Sequence, residues 1–365
     1  MQADAPEGIP APDLGRRTGR PARGPRPSTG PSLLAPGAAH DPYRLYRVLR
    51  EEYPLCYDAP LGAWLVSRYA DVATALTDPR FTGLPHDAAP RGGPAPLGLC
   101  HGSPHCAPRR HHTTAPGAMP CHMPDPGSVP RHMVARIERT AYVLARRLAG
   151  RQQVDLVAEF CRWLPVGAAP GASARPYAFR LSRTATGTTG ATGAAGGTAT
   201  AATPCTRHTG LRETALASFL ANVLDAPDLL AALRTAPALA DRAWTESLRR
   251  DPPVQVVLRR TVAEVTLSGG TLPAGADVAC LIGSAGRDPE RFAAPDLFDP
   301  FRRDQGRSLT GPASCPAVLL GRLEAGQGLR ALLDAMPRLR WADGFRPAGT
   351  GLLTRGPRAL LVRPG

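Results

Sequence analysis

Along the chain, apolar positions recur at helical spacing in blocks separated by short strand-like runs. The first block opens at Asp41-Pro42, with proline suited to a first helical turn. Leu45, Val48 and Leu49 form its stripe, and Pro54 ends it. Residues 55–57 and 63–67, joined by the turn Asp58-Ala-Pro-Leu-Gly62, predict a strand hairpin. Residues 69–76 predict a short helix closed by Asp78-Pro79. Residues 134–148 predict an amphipathic helix with Ile137, Ala141, Leu144 and Leu148 on one face. Residues 154–160 predict the start of another, running to Leu164-Pro165.

The later half reads the same way. Residues 209–222, 225–234 and 237–249 predict three helices. Residues 254–259 predict a strand, and residues 265–267, 271–272 and 276–282 a small antiparallel sheet. Val318, Leu319, Leu320, Leu323, Leu329, Leu332 and Leu333 predict a long apolar helix, and residues 351–362 a terminal hairpin. The fold class expected is mainly α with small antiparallel β sheets.

Two stretches break the pattern. Between residues 85 and 130, prolines recur too often for a long helix. Within 166–208, residues 184–203 contain only Ala, Thr and Gly, which bury too little surface to offset chain entropy. Residues 1–39, rich in Pro, Gly and Arg, read as a disordered leader. The expected organisation is a leader 1–39 and one domain over 40–365, interrupted at 85–130 and 166–208. A pair of compensated frame changes in a GC-rich gene is one hypothesis for each interruption. Translating the other two frames tests it, and frames without helix-patterned sequence would refute it.

The chain has 365 residues and a net charge of +14. That charge suits an anionic surface, nucleic acid or an acidic protein. No basic run carries interleaved aromatics and no recognition-helix pattern occurs, so nucleic acid is not expected. No run of about 18 apolar residues occurs, so no membrane span is expected. Eight scattered cysteines without framework spacing suit a reducing cytoplasm.

Chemistry concentrates around Cys315. Gly311-Pro312 turns the chain before it, and Pro316 begins the apolar helix after it. A thiol at a helix N-terminus meets the positive end of the dipole, which favours thiolate, a ligand for a soft metal or a heme iron. The alternative role is that of a small buried hydrophobe. Six of nine histidines fall between His101 and His132, with Cys100, Cys106 and Cys121 among them, but at no common zinc spacing. Glu213-Thr214 places a carboxylate beside a hydroxyl, a pair able to hold and relay a proton; an exposed glutamate near a helix start is the alternative. Glu246 and Arg249 share one helix face at i,i+3 spacing, as surface pairs often do.

In combination these strings resemble the cytochrome P450 family, bacterial soluble type. Gly311, Cys315 and Arg322-Leu323-Glu324 stand as in the family's heme-ligand loop and following helix. The loop's Phe-Gly pair is replaced by Ser308-Leu309, its basic residue by Ala313 and its second glycine by Ala317. Glu246-Ser-Leu-Arg249, Arg250-Asp-Pro-Pro-Val-Gln255, Asp288-Pro-Glu-Arg-Phe292 and Pro295-Asp-Leu-Phe-Asp-Pro300 follow in the family's order. The resemblance implies heme b (iron protoporphyrin IX) with Cys315 as the iron ligand. It implies His105, Arg109 and Arg259 as propionate partners, and Glu213-Thr214 as the acid–alcohol pair that delivers protons in oxygen activation. It makes Glu246–Arg249 a structural pair whose third partner is normally an arginine at position 297. Leu297 stands there, with Arg302 as the substitute.

Two functions follow from the resemblance. One is a monooxygenase that oxidises a small organic, secondary-metabolite substrate with O2 and electrons from an acidic ferredoxin-type donor. The other is a heme-free relative that binds and activates a glycosyltransferase, a role some bacterial members with a lost heme loop have taken. A decayed paralogue without function is a third reading.

Overall fold

The computed structural model describes residues 30–83, 129, 131–167, 209–304, 309 and 316–365. Helix α1 (Pro42–Glu52) is capped by Asp41, whose carboxylate accepts from the Tyr43 backbone N–H, and Pro42 occupies its first turn. Strands β1 (Leu55–Asp58) and β2 (Ala63–Val66) form the expected hairpin, in register Leu55↔Val66. Helix α2 (Tyr69–Thr77) and strand β3 (Phe81–Gly83) follow. Helix α3 (Arg131–Ala149) buries Ile137, Ala141, Leu144 and Leu148, the face read from the sequence.

The chain then departs from expectation. The helix expected to begin within residues 154–160 starts late: Val154 and Asp155 form strand β4, and a π-helical stretch, Val157–Cys161, then leads into helix α4 (Trp163–Gly167). Asp155 is the cause. Its carboxylate accepts from Val157 N at 3.0 Å and from Leu360 N at 2.9 Å, which ties this end to the C-terminal segment.

Helices α5 (Thr209–Leu224), α6 (Pro227–Thr235) and α7 (Leu239–Arg250) match the three expected ones. Strands β5 (Val256–Thr261), β6 (Val265–Leu267), β7 (Gly270–Leu272) and β8 (Asp277–Leu281) lead to a short helix α8 (Ile282–Ala285). Strands β6 and β7 pair only with each other, while β8 joins a five-stranded sheet of order β1-β2-β8-β5-β3. The continuous burial of β8 after its first residue explains this: it is a central strand, parallel to β2 and antiparallel to β5.

Helix α9 (Pro316–Ala335) is the long apolar helix. Strands β9 (Arg340–Trp341), β10 (Gly349–Thr350), β11 (Gly356–Pro357) and β12 (Leu361–Arg363) complete the chain. The expected hairpin over 351–362 is divided: β10 pairs with β11, whereas β12 pairs with β4 and β9.

Helices α3, α4, α5 and α9 pack together around the largest apolar cluster, which includes Phe160, Leu216, Phe219, Leu220, Leu320 and Leu332. Residues 30–39, assigned from sequence to a leader, pack against the five-stranded sheet. Leu33 is 1% exposed in a cluster with Leu65 and Ala279, and Asp58 accepts from Leu33 N at 2.8 Å and Ser32 Oγ at 2.8 Å. Among the described residues no single helix is long and apolar enough to cross a membrane.

Candidate functional site

Three sequence motifs reach one apolar cluster at the five-stranded sheet. Val254 and Val257 are part of it, and Leu211 and Leu309 pack against it. Val257 lies two residues before Arg259, Leu211 two before Glu213, and Leu309 six before Cys315. The segment 353–356 connects the first two motifs. Leu353 O accepts from Gln255 N at 2.8 Å, Arg355 N donates to Pro253 O at 2.9 Å, and Gly356 lies against Thr214. A side chain at Gly356 would overlap the Thr214 methyl, so the glycine permits this approach.

Arg259 is 4% exposed. Its Nη1 donates to Leu258 O at 3.2 Å, and it has no ion-pair partner among the described residues. Burial pulls it below the ordinary arginine range, yet a guanidinium stays cationic at working pH. Cys280 is its nearby titratable neighbour, and burial pushes that thiol up to about 12 despite the pull of Arg259, so it supplies no counter-charge. A buried cation without an anion is costly. The site therefore fits a ligand carboxylate such as a heme propionate.

Glu213 and Thr214 share one turn of α5 but face different ways. Glu213 is 3.5 Å from Arg162 Nε in a partly exposed pair. The Thr214 hydroxyl donates to Gly210 O at 2.8 Å, which leaves its oxygen lone pairs free to accept. His105, Arg109 and Cys315 lie outside the described residues, as do both interruptions between their described ends. Pro316, the residue after Cys315, begins α9.

Glu246 and Arg249 form a buried pair, with Arg249 Nε 2.8 Å from Oε2 and Nη2 2.7 Å from Oε1. Arg302 is the third partner, its Nε 2.8 Å from Glu246 Oε1. Leu297, at the expected arginine position, turns outward at 64% exposure, and its carbonyl accepts from Arg249 Nη2 at 3.0 Å. Sequence reading missed a second buried pair, Arg212–Glu324. A signal was present: Arg212 shares a helix face with Ala215, Leu216 and Phe219, an apolar stripe where a charge needs a partner.

The cytochrome P450 family model matches residues 237–313. The chain is 30% identical to cytochrome P450 107B1 of Saccharopolyspora erythraea over 411 residues, covering 92% of this chain and 98% of that protein. It is 30% identical to protein DesVIII of Streptomyces venezuelae over 358 residues, covering 89% and 86%. The P450 heme domain of Tepidiphilus thermophilus superposes with a TM-score of 0.69 at 19% identity, covering 92% of this chain and 96% of that one. By fold, motif order and these similarities, the chain belongs to the cytochrome P450 family of monooxygenases.

Proposed function

We propose that the protein oxidises a small organic molecule of secondary metabolism, using heme b held by Cys315 and electrons from a ferredoxin-type donor. The observation that carries this reading is Arg259, a buried cation with no carboxylate partner among the described residues. His105 and Arg109 join it as propionate partners by resemblance. When bound, heme held by Cys315 would supply the iron chemistry of oxygen activation. Thr214 offers a hydroxyl acceptor fixed by its bond to Gly210, and Glu213 supplies a carboxylate one residue away that can relay a proton. The net charge of +14 suits an acidic electron donor. Cys56, Cys161 and Cys280 are free thiols, in keeping with a reducing cytoplasm.

The changed heme loop favours a second reading, a heme-free partner of a glycosyltransferase. Ala313 stands where the family's loop carries a basic residue that binds a heme propionate, and Ser308-Leu309 and Ala317 stand in place of its Phe-Gly pair and second glycine. The full chain, expressed with a heme precursor and assayed as its pyridine hemochrome, separates the two. One heme per chain, reduced by Arg259→Met without loss of folding, supports the monooxygenase. A folded chain that takes up no heme on reconstitution overturns it.

A further inference from the structure

Arg212 and Glu324 meet inside the helix bundle at side-chain exposures of 3% and 1%. Arg212 directly precedes Glu213, and Glu324 stands eight residues after Pro316. Arg212 Nη1 bonds Glu324 Oε1, and Nη2 donates to Pro165 O at 3.4 Å. Gly321, one turn before Glu324, faces Trp244: a side chain there would begin 3.1 Å from the indole, while Arg212 Cγ lies at 3.9 Å, an ordinary contact. One guanidinium thus ties α4, α5 and α9.

The pair is a poor device for stability. Arg212 Nε and Glu324 Oε2 have no partner among the described residues. Burial pushes the Glu324 carboxyl up to about 7 against the pull of Arg212. A packed apolar pair of similar volume would hold the helices at least as firmly. An apolar pair, however, keeps its burial after a small slide, whereas two bonded charges keep only one register. A slip of one residue along a helix is about 1.5 Å.

We infer that the Arg212–Glu324 pair is a positioning device that sets the register of α9, which begins at Pro316, against the Glu213–Thr214 turn of α5. Its catalytic consequence rests on the monooxygenase reading; the register itself does not.

The test compares Arg212→Met, Glu324→Leu, the double variant and Arg212→Lys in the full chain. Thermal unfolding and peptide-resolved alkylation of Cys315 are measured on heme-free protein. The thiolate-ligated fraction of the ferrous–CO complex is measured on heme-loaded protein. Each single apolar variant should unfold at lower temperature, and the double variant should recover the wild-type midpoint. The double variant should still show a severalfold change in Cys315 alkylation and lose half or more of the thiolate-ligated fraction. Arg212→Lys should restore both. A double variant matching wild type in midpoint and Cys315 reactivity would overturn the inference. If the wild type takes no heme but Cys315 reactivity still changes, the monooxygenase reading fails and the positioning role stands.

Discussion

Two buried arginine sites of the fold are treated in opposite ways. Beside α7, all three side-chain nitrogens of Arg249 and of Arg302 are hydrogen-bonded, and Glu246 receives both guanidinium groups. At β5, Arg259 is equally buried and has one described bond, to the carbonyl beside it. A saturated cluster has no capacity left for a ligand and reads as structure. An unsaturated buried cation is a cost that a bound anion would offset, and it reads as a site.

The largest expected effect breaks the saturated side. Glu246→Ala leaves two buried guanidinium groups without their carboxylate and should cost about 3–5 kcal/mol in urea unfolding. Arg302→Ala should cost less, about 1.5–3 kcal/mol, because Arg249 still holds Glu246.

The Arg212–Glu324 pair lies between the two cases and gives a pH test. Its carboxyl has a folded pKa of about 7, above the ordinary value of 4.5. The folded state therefore binds the proton more tightly, and this contribution is full below about pH 4.5 and is lost as pH rises through about 7. The slope should not exceed about 1.4 kcal/mol per pH unit, and Glu324→Gln should flatten it in urea titrations at several pH values. The smallest effect on stability belongs to Arg259→Met. Removing an unpaired buried charge should leave unfolding within about 1 kcal/mol of wild type or raise it, while heme retention falls.

Much of the fold was legible because its helices carry clean apolar stripes. Ile137, Ala141, Leu144 and Leu148 marked α3 without any tertiary information. The failures arose where a distant polar contact overrode local pattern. Asp155 turned a helical-looking start into β4 by bonding Leu360, and Asp58 anchored Leu33 within a stretch of leader-like composition. Of the candidate site, the family strings marked Arg259, Glu213 and Thr214, and Arg302 took the place left by Leu297. The apolar stripe around Arg212 marked it as needing a partner, but that partner lies 112 residues away, a distance that no local spacing rule spans.

The most direct test is the reduced, carbon monoxide-bound absorption spectrum of the heme-reconstituted full chain beside that of Cys315→Ala. The wild type should show the red-shifted Soret band of a thiolate-ligated heme, and the variant should lose it. The same spectrum from both proteins, or no Soret band from a folded wild type, would contradict heme ligation by Cys315.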